Sequence, residues 1–229
     1  MIKYDFHIHS ALSPCGDEDM TPNNIVNMAY IAGVNAIAIT DHNTVGNVRA
    51  AQKVGEELGI TVLAGMEVET SEEVHVLTLF PSVDRAEEVA KVVYNSLPPI
   101  KNKPEIFGRQ LYMDENDEII GEEERLLISP TTLPIEEVFR IVKESGGLAV
   151  PAHVDRHSYS VLTNLGFIPE EINAKWIELS CVVDDVEAYV KSRQDLAKYS
   201  VLRNSDAHYL KDIAVKENVL CCSIEDLFR

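Results

Sequence analysis

The sequence predicts an α/β fold: a distorted seven-stranded (β/α)7 TIM-like barrel with a short insertion. Three observations point to it. Short apolar runs bounded by turn residues recur along the chain, as buried parallel strands do. Segments with helical start and stop signals alternate with most of those runs. Six of the seven histidines lie at or beside the run ends, where barrels of parallel strands assemble their sites.

The elements follow in order. "IKYDFHIHS" reads as a strand from Ile2 to His9. "TPNNIVNMAYIAG" reads as a helix, with Thr21 as N-cap, Pro22 at the first helical position and Gly33 at the stop. "NAIAIT" is a buried strand, residues 44–58 a helix stopped near Gly59, and "ITVLAG" a third strand. "VHVLTLF" follows close behind as a fourth, and a Val- and Ala-rich helix spans about Asp84 to Leu97. The stretch 98–130 breaks the pattern, with "LPPIKNKP" and then two short strands around the turn "DENDE". It is too short to bury a core of its own and reads as an inserted lid or excursion within one domain over residues 1–229. "PIEEVFRIVKESGG" is a helix, "LAVPA" a fifth strand, and helical and loop segments run through "SYSVLTNLGFIPEEIN". "WIELS" and "YSVLRN" are the sixth and seventh strands, before a short "NVLCC" strand and a "SIEDLF" turn.

Composition narrows the function. The chain has 229 residues, 38 acidic and 20 basic, for a net charge of −18. Such a surface repels nucleic acid and anionic membranes at long range, although bound divalent cations reverse that locally. There is no apolar run long enough to span a bilayer and no basic-then-apolar secretion signal, so a cytoplasmic location is expected. Cys15, Cys181, Cys221 and Cys222 form no CxxC pair and no spaced framework, which suits a reducing compartment. Cys15 lies near the histidine pair and is within reach of a site, but reads as an ordinary free thiol, like the other three.

The histidines carry the chemistry. His7 and His9 stand at i and i+2 on a strand, so both point to one face, with Phe6 and Ile8 on the other. Alone, an HxH pair is as well explained by hydrogen-bonded core residues. His42 ends the second strand in "AITDHNT", Glu67 lies past the third in "AGMEVET", and His75 lies on the fourth in "EEVHVL". His153 ends the fifth in "VPAHVDR", and Asp206 and His208 follow the seventh in "RNSDAHY". So many imidazoles and carboxylates on one rim lack partners unless cations satisfy them. Mixed imidazole and carboxylate ligands suit Zn, Mn or Fe, with Mg less favoured.

The stretches "DFHIHS", "TDHN", "GMEVET", "VHVL", "PAHVD" and "NSDAH" resemble, in order, those of the PHP family, named for polymerase and histidinol phosphatase domains. The resemblance implies a distorted seven-stranded barrel, up to three divalent metal ions at its rim, and phosphoester hydrolysis. Matched motif by motif, it implies His7, His9, His42, Glu67, His75, His153, Asp206 and His208 as ligands. A further ligand is usual shortly after the HxH stretch, and there "SALSPCGDEDMTP" departs from the pattern. Counting back from "TP" favours Asp17, whereas counting forward from His9 lands on Pro14; Asp19 is an alternative and Glu18 a poorer one. His157 fits no motif and reads as an exposed or supporting residue. Asp41 reads as a partner of a ligating histidine. Arg156 reads either as a phosphate clamp or as a surface ion pair.

The expected function is metal-dependent hydrolysis of a small phosphorylated substrate, a phosphomonoester or nucleotide, by a metal-activated hydroxide. His42, Arg156, Asp206 and His208 are the candidate catalytic residues. Two alternatives remain: an amidohydrolase-like C–N hydrolase, and a metal-stabilised regulatory module without turnover. Net acidity and the lack of a basic stripe make long nucleic acid a less expected partner.

Overall fold

The computed structural model describes residues 1–229. The elements run β1 (Ile2–Ile8), α1 (Pro22–Ile31), β2 (Ala36–Ile39), α2 (Val48–Leu58), β3 (Thr61–Glu69), β4 (His75–Phe80) and α3 (Val83–Ser96). Then come α4 (Pro104–Phe107), β5 (Leu111–Met113), β6 (Ile119–Glu122), α5 (Ile135–Glu144), β7 (Leu148–Pro151), α6 (Val161–Asn164), β8 (Trp176–Ser180), α7 (Val186–Ser192), β9 (Ser200–Asn204) and β10 (Val219–Leu220). The Thr21 side chain accepts from the Asn24 amide and caps α1, with Pro22 in the first turn. Gly59 closes α2 at φ 71°, a left-handed conformation that costs glycine nothing.

The architecture is mixed α/β, built on a curled six-stranded sheet of order β10-β1-β2-β3-β4-β7. β8 and β9 form a separate parallel pair. This differs in part from the expected distorted seven-stranded barrel, since the main sheet has six strands and does not close. No continuous ladder joins the two sheets: an Ile8–Ala207 bridge and side-chain bonds such as the Phe6 amide on Asn204 Oδ1 link them on one side, and the Val154 amide donates to the Glu178 carbonyl at 2.9 Å on the other.

Strands β1, β2 and β3 are parallel, as expected, but β4 runs antiparallel to both β3 and β7. Residues 70–74 between β3 and β4 are too few for the crossover a parallel pair needs, so a hairpin forms, with the Thr70 amide donating to the Val74 carbonyl. The reversal has a functional consequence. The first residue of β4, His75, lies opposite Glu69 at the end of β3, on the rim reached by the C-terminal ends of the parallel strands. The "SYSVLTNLGFIPEEIN" region holds only the four-residue α6 and a short 3-10 turn, and α7 is an additional helix.

Apolar residues alternate across the sheet. One layer, with Tyr4, Phe6, Ala38, Leu63, Leu77 and Val150, fills the inner side of the curl. The other, with Ile37, Ile39 and Val62, packs under the helices and forms one cluster with Val89 of α3 and Val138 of α5. The excursion forms the expected hairpin, β5 against β6, and seats itself on the loop after β1. The Leu111 amide donates to the Ala11 carbonyl at 2.8 Å, and Asn47 bonds both Leu111 and Met113. No helix is long and apolar enough to cross a membrane.

Candidate metal centre

A register shift in β1 aims its histidines. Asp5 pairs with Ile37, but Ile8 pairs with Ile39, so β1 holds one residue more than β2 over this interval. Such a bulge turns the following side chains to the other face. Phe6 therefore joins the inner apolar layer and Ile8 the outer one, rather than both sharing one face. His7 and His9, both fully buried, meet the other rim histidines, with ring centroids 6.1 Å apart for His7–His153 and 4.6 Å for His9–His42.

Three of the imidazoles are fixed from behind. His7 Nδ1 lies 2.9 Å from Glu178 Oε1, and the same carboxylate accepts from the His153 amide and from Asn204 Nδ2. His9 Nδ1 lies 3.0 Å from Ser13 Oγ, whose hydrogen is engaged by Asp41 Oδ1 at 2.7 Å. Ser13 can therefore only accept from His9, which puts the proton on Nδ1 and leaves the Nε2 lone pair facing the centre. His208 Nδ1 lies 2.8 Å from the Asp206 carbonyl oxygen and donates to it, which frees its Nε2 in the same way.

Glu67 sits in the middle. Its carboxylate oxygens lie 2.9 Å from His75 Nδ1, 3.1 Å from His153 Nε2, 3.2 Å from His42 Nδ1, 3.3 Å from His7 Nε2 and 3.5 Å from His9 Nε2. Asp206 Oδ1 lies 3.1 Å from His9 Nε2 and 3.4 Å from His7 Nε2. One carboxylate cannot satisfy five imidazoles. His7 Nε2, His42 Nδ1 and His153 Nδ1 are buried without any hydrogen-bond partner, a cost that protein interiors rarely carry. Three overlapping groups have metal-ligand spacing: His7, His9 and Asp206; His42, Glu67 and His75; and His9, Cys15, His42 and His208. Nitrogen donors mixed with carboxylates fit divalent transition metals, and the orphaned atoms fit ligands awaiting a cation.

The electrostatics agree. Burial opposes charge on His7, but Glu178, Glu67 and Asp206 outweigh it and raise the imidazole pKa well above its usual value. Burial likewise opposes charge on Glu67, yet His75 and His7 hold its carboxyl well below the usual range. His75, beside Glu67 and Glu69, is raised against its burial to about 9. Burial and the neighbouring His9 lower His42 well below the ordinary value and push His208 down to about 4, so both are neutral donors at pH 7.

The centre opens into a cleft of about 320 Å3 lined in part by Ile128, Arg156, Ser158 and Tyr159. Arg156 Nη1 donates to Asp206 Oδ2 at 2.5 Å while its side chain stays about a third exposed. His153 and Asp206 both adopt positive φ, 29° and 53°, a conformation that non-glycine residues adopt at some energetic cost and that clusters at functional sites.

The structure thus brings together His7, His9, His42, Glu67, His75, His153, Asp206 and His208, with Arg156 beside them. Asp17 adjoins them through its amide, which donates to the His208 carbonyl, while its carboxylate accepts from the Asp19 amide and lies in none of the three groups. Glu18 and Asp19 are exposed, as is His157. Asp41 reaches a histidine only through Ser13. Sequence reading missed Glu178 and Ser13; a lone carboxylate inside the apolar strand "WIELS" was the available signal for the first.

Comparison with known proteins agrees with this geometry. Residues 5–125, just over half of the chain, match the PHP domain. Over 80 residues the chain is 36% identical to a 5'-3' exoribonuclease of Haemophilus influenzae, covering 34% of this chain and 28% of that protein. Over another 80-residue alignment it is 36% identical to a phosphoribosyl 1,2-cyclic phosphate 1,2-diphosphodiesterase of Eggerthella lenta, covering 33% and 29%. The fold is similar to that of the lesion-specific endonuclease PfuEndoQ from Pyrococcus furiosus, with a TM-score of 0.67 at 21% identity, over 91% of this chain and 49% of that one. The alignments with the two relatives thus span less than a third of each relative's length, and the chain matches about half of the endonuclease. On the domain match and the residues that carry it, the chain belongs to the PHP domain family.

Proposed function

We propose that the chain hydrolyses the phosphoester bond of a small phosphorylated molecule, a phosphomonoester or nucleotide, at the rim described above. One observation carries the reading: three groups of metal-ligand spacing, joined through the shared His9 and His42, lie beneath a single cleft with a guanidinium on its wall. As a PHP-domain protein the chain is a metal-dependent hydrolase. The ligands proposed are His7, His9, His42, Glu67, His75, His153, Asp206 and His208, holding up to three ions of Zn, Mn or Fe. Cations bound there would neutralise charge on the phosphoryl oxygens and lower the pKa of water to about 7.

The remaining roles fall to the chain's own residues. Arg156, with donors beyond the one held by Asp206, is placed to grip a phosphoryl oxygen. Glu178 and Ser13 hold His7 and His9 in the tautomers a ligand needs. Ile128 and Tyr159 flank the cleft and offer apolar surface to the rest of a substrate. The excursion contributes Ile128 and so shapes specificity. The cleft size and the net charge of −18 favour a small substrate over a long duplex. A phosphodiester is the second reading, favoured because both relatives aligned over 80 residues carry phosphodiester-cleaving names.

The test is a panel of phosphomonoesters, nucleotides, cyclic phosphodiesters and short oligonucleotides, assayed after reconstitution with Zn, Mn or Fe. Release of phosphate from a monoester or nucleotide is the expected outcome. Cleavage confined to diesters selects the second reading. Failure on every member with every metal removes both.

A further inference from the structure

We propose that Cys15 is a metal ligand of this centre, completing a sulfur-containing site with His9, His42 and His208 and making it selective for a thiophilic cation such as Zn or Fe(II). The inference concerns the chain's own ligand set and holds whichever phosphoester is cleaved.

The sulfur of Cys15 and one nitrogen from each of the three histidines all lie within 4.8 Å of one another. Tetrahedral zinc, with about 2.3 Å to sulfur and about 2.0–2.1 Å to nitrogen, needs ligand atoms about 3.5 Å apart, so closure demands small movements only. The donors are poised for it. His208 Nδ1 is engaged by its own chain, and His9 Nδ1 by Ser13. His42 is more than nine-tenths buried, and its Nδ1 finds no hydrogen-bond partner. No carboxylate belongs to this group, unlike the other two.

The loop is built to deliver Cys15 rather than Asp17. Its turns close through the Ser13 amide on Ser10 O, the Gly16 amide on Ser13 O and the Ala11 amide on Met20 O. At Gly16 a Cβ would stand 2.6 Å from the Ser10 carbonyl oxygen, so only glycine permits the fold-back. From the other side Gly108 of the excursion packs against the Pro14 carbonyl, where a Cβ would come within 2.2 Å. Pro14 is thereby clamped between loop and excursion, and Cys15 is turned over the histidines at the lip of the cleft. All four cysteines are free thiols, so no disulfide competes for this sulfur. A thiolate among imidazoles selects soft cations, whereas a carboxylate there admits Mn and Mg more readily.

The test is spectroscopic and independent of turnover. Protein loaded with cobalt(II) is expected to show a near-ultraviolet sulfur-to-cobalt charge-transfer band. Cys15→Ser abolishes it, while the triple variant Cys181→Ser, Cys221→Ser, Cys222→Ser retains it. Cys15→Asp keeps the number of bound cations but shifts zinc-against-manganese competition toward manganese by about tenfold or more. Absence of the band in the parent protein, its survival in Cys15→Ser, or an unchanged metal preference in Cys15→Asp would each overturn the assignment.

Discussion

His7 and Glu178 meet at 2.9 Å between β1 and β8, two strands that share no ladder. The carboxylate takes three donors at once: the His7 ring, the His153 amide and the Asn204 side chain. It thus ties together the strands β1, β8 and β9 and two of the proposed ligands. Glu178→Gln offers one acceptor oxygen where two were used and turns an NH2 toward a donor. The expected result is metal affinity about 10–100-fold weaker with the fold retained, read by competitive zinc titration. Unchanged affinity would reduce Glu178 to a packing residue.

Asp41 organises the loop after β1. It accepts from the Ser10 amide at 2.7 Å, the Ser10 hydroxyl at 2.6 Å and the Ser13 hydroxyl at 2.7 Å, all buried. Asp41→Ala leaves three donors without a partner, and hydrogen bonds to a buried charge contribute about 1.5–3 kcal/mol each. Because the losses overlap, a total of about 3–4 kcal/mol is expected in urea unfolding. A loss within experimental error would mean that water replaces the carboxylate.

Arg156 sits where an incoming phosphate would meet Asp206. Arg156→Ala should raise KM about 10–100-fold, the loss of a charge-assisted bond of about 1.5–3 kcal/mol, with metal content intact. Lysine at this position should recover only part, because it cannot hold Asp206 and a phosphoryl oxygen in one planar fork. Metal loss in the alanine variant would instead assign Arg156 to support of Asp206.

The rim was legible in the sequence because its histidines and carboxylates sit at strand ends, and strand ends are marked by apolar runs followed by polar residues. His42, Glu67, His153, Asp206 and His208, which the structure brings together, were read this way. The bulge at Phe6–His7 and the reversal of β4 were not, since both arise from pairing that no single strand encodes. The "DFHIHS" pattern suggests plain alternation, yet the register shift sends Phe6 and Ile8 to different layers. The loop "SALSPCGDEDM" defeated counting because its conformation depends on the distant Gly108. There the sequence favoured a carboxylate, Asp17, whereas the residue of that loop with metal-ligand spacing to the histidines is Cys15.

Gly108 makes that dependence measurable. Its φ is 99°, and a Cβ would stand 2.2 Å from the backbone oxygen of Pro14, a clash that no side-chain rotation relieves. Gly121, in the same excursion, would place its Cβ 3.5 Å from the Tyr112 ring, an ordinary contact. Gly108→Ala should therefore cost about 2–3 kcal/mol in unfolding experiments, and Gly121→Ala less than about 0.5 kcal/mol. Equal effects would mean that the excursion does not brace the loop.

Removal of metal should weaken the protein without unfolding it. A cation that binds only the native state at 100 times its Kd contributes about 2.7 kcal/mol of stability. For a chain of this length 1 kcal/mol corresponds to about 2–4 °C in Tm, so chelation should lower Tm by about 5–10 °C per lost cation. The centre has a fallback that limits the damage. His7 lies against Glu178, Glu67 and Asp206, which favour its charged form, and His75 lies 2.9 Å from Glu67. Imidazolium–carboxylate pairs then replace part of what the cations supplied, and the two apolar layers are untouched. Calorimetry with and without chelator, followed by zinc repletion, checks this. A cooperative transition that returns to its original Tm on repletion is expected. Loss of the transition on chelation would show instead that the cations hold the fold itself.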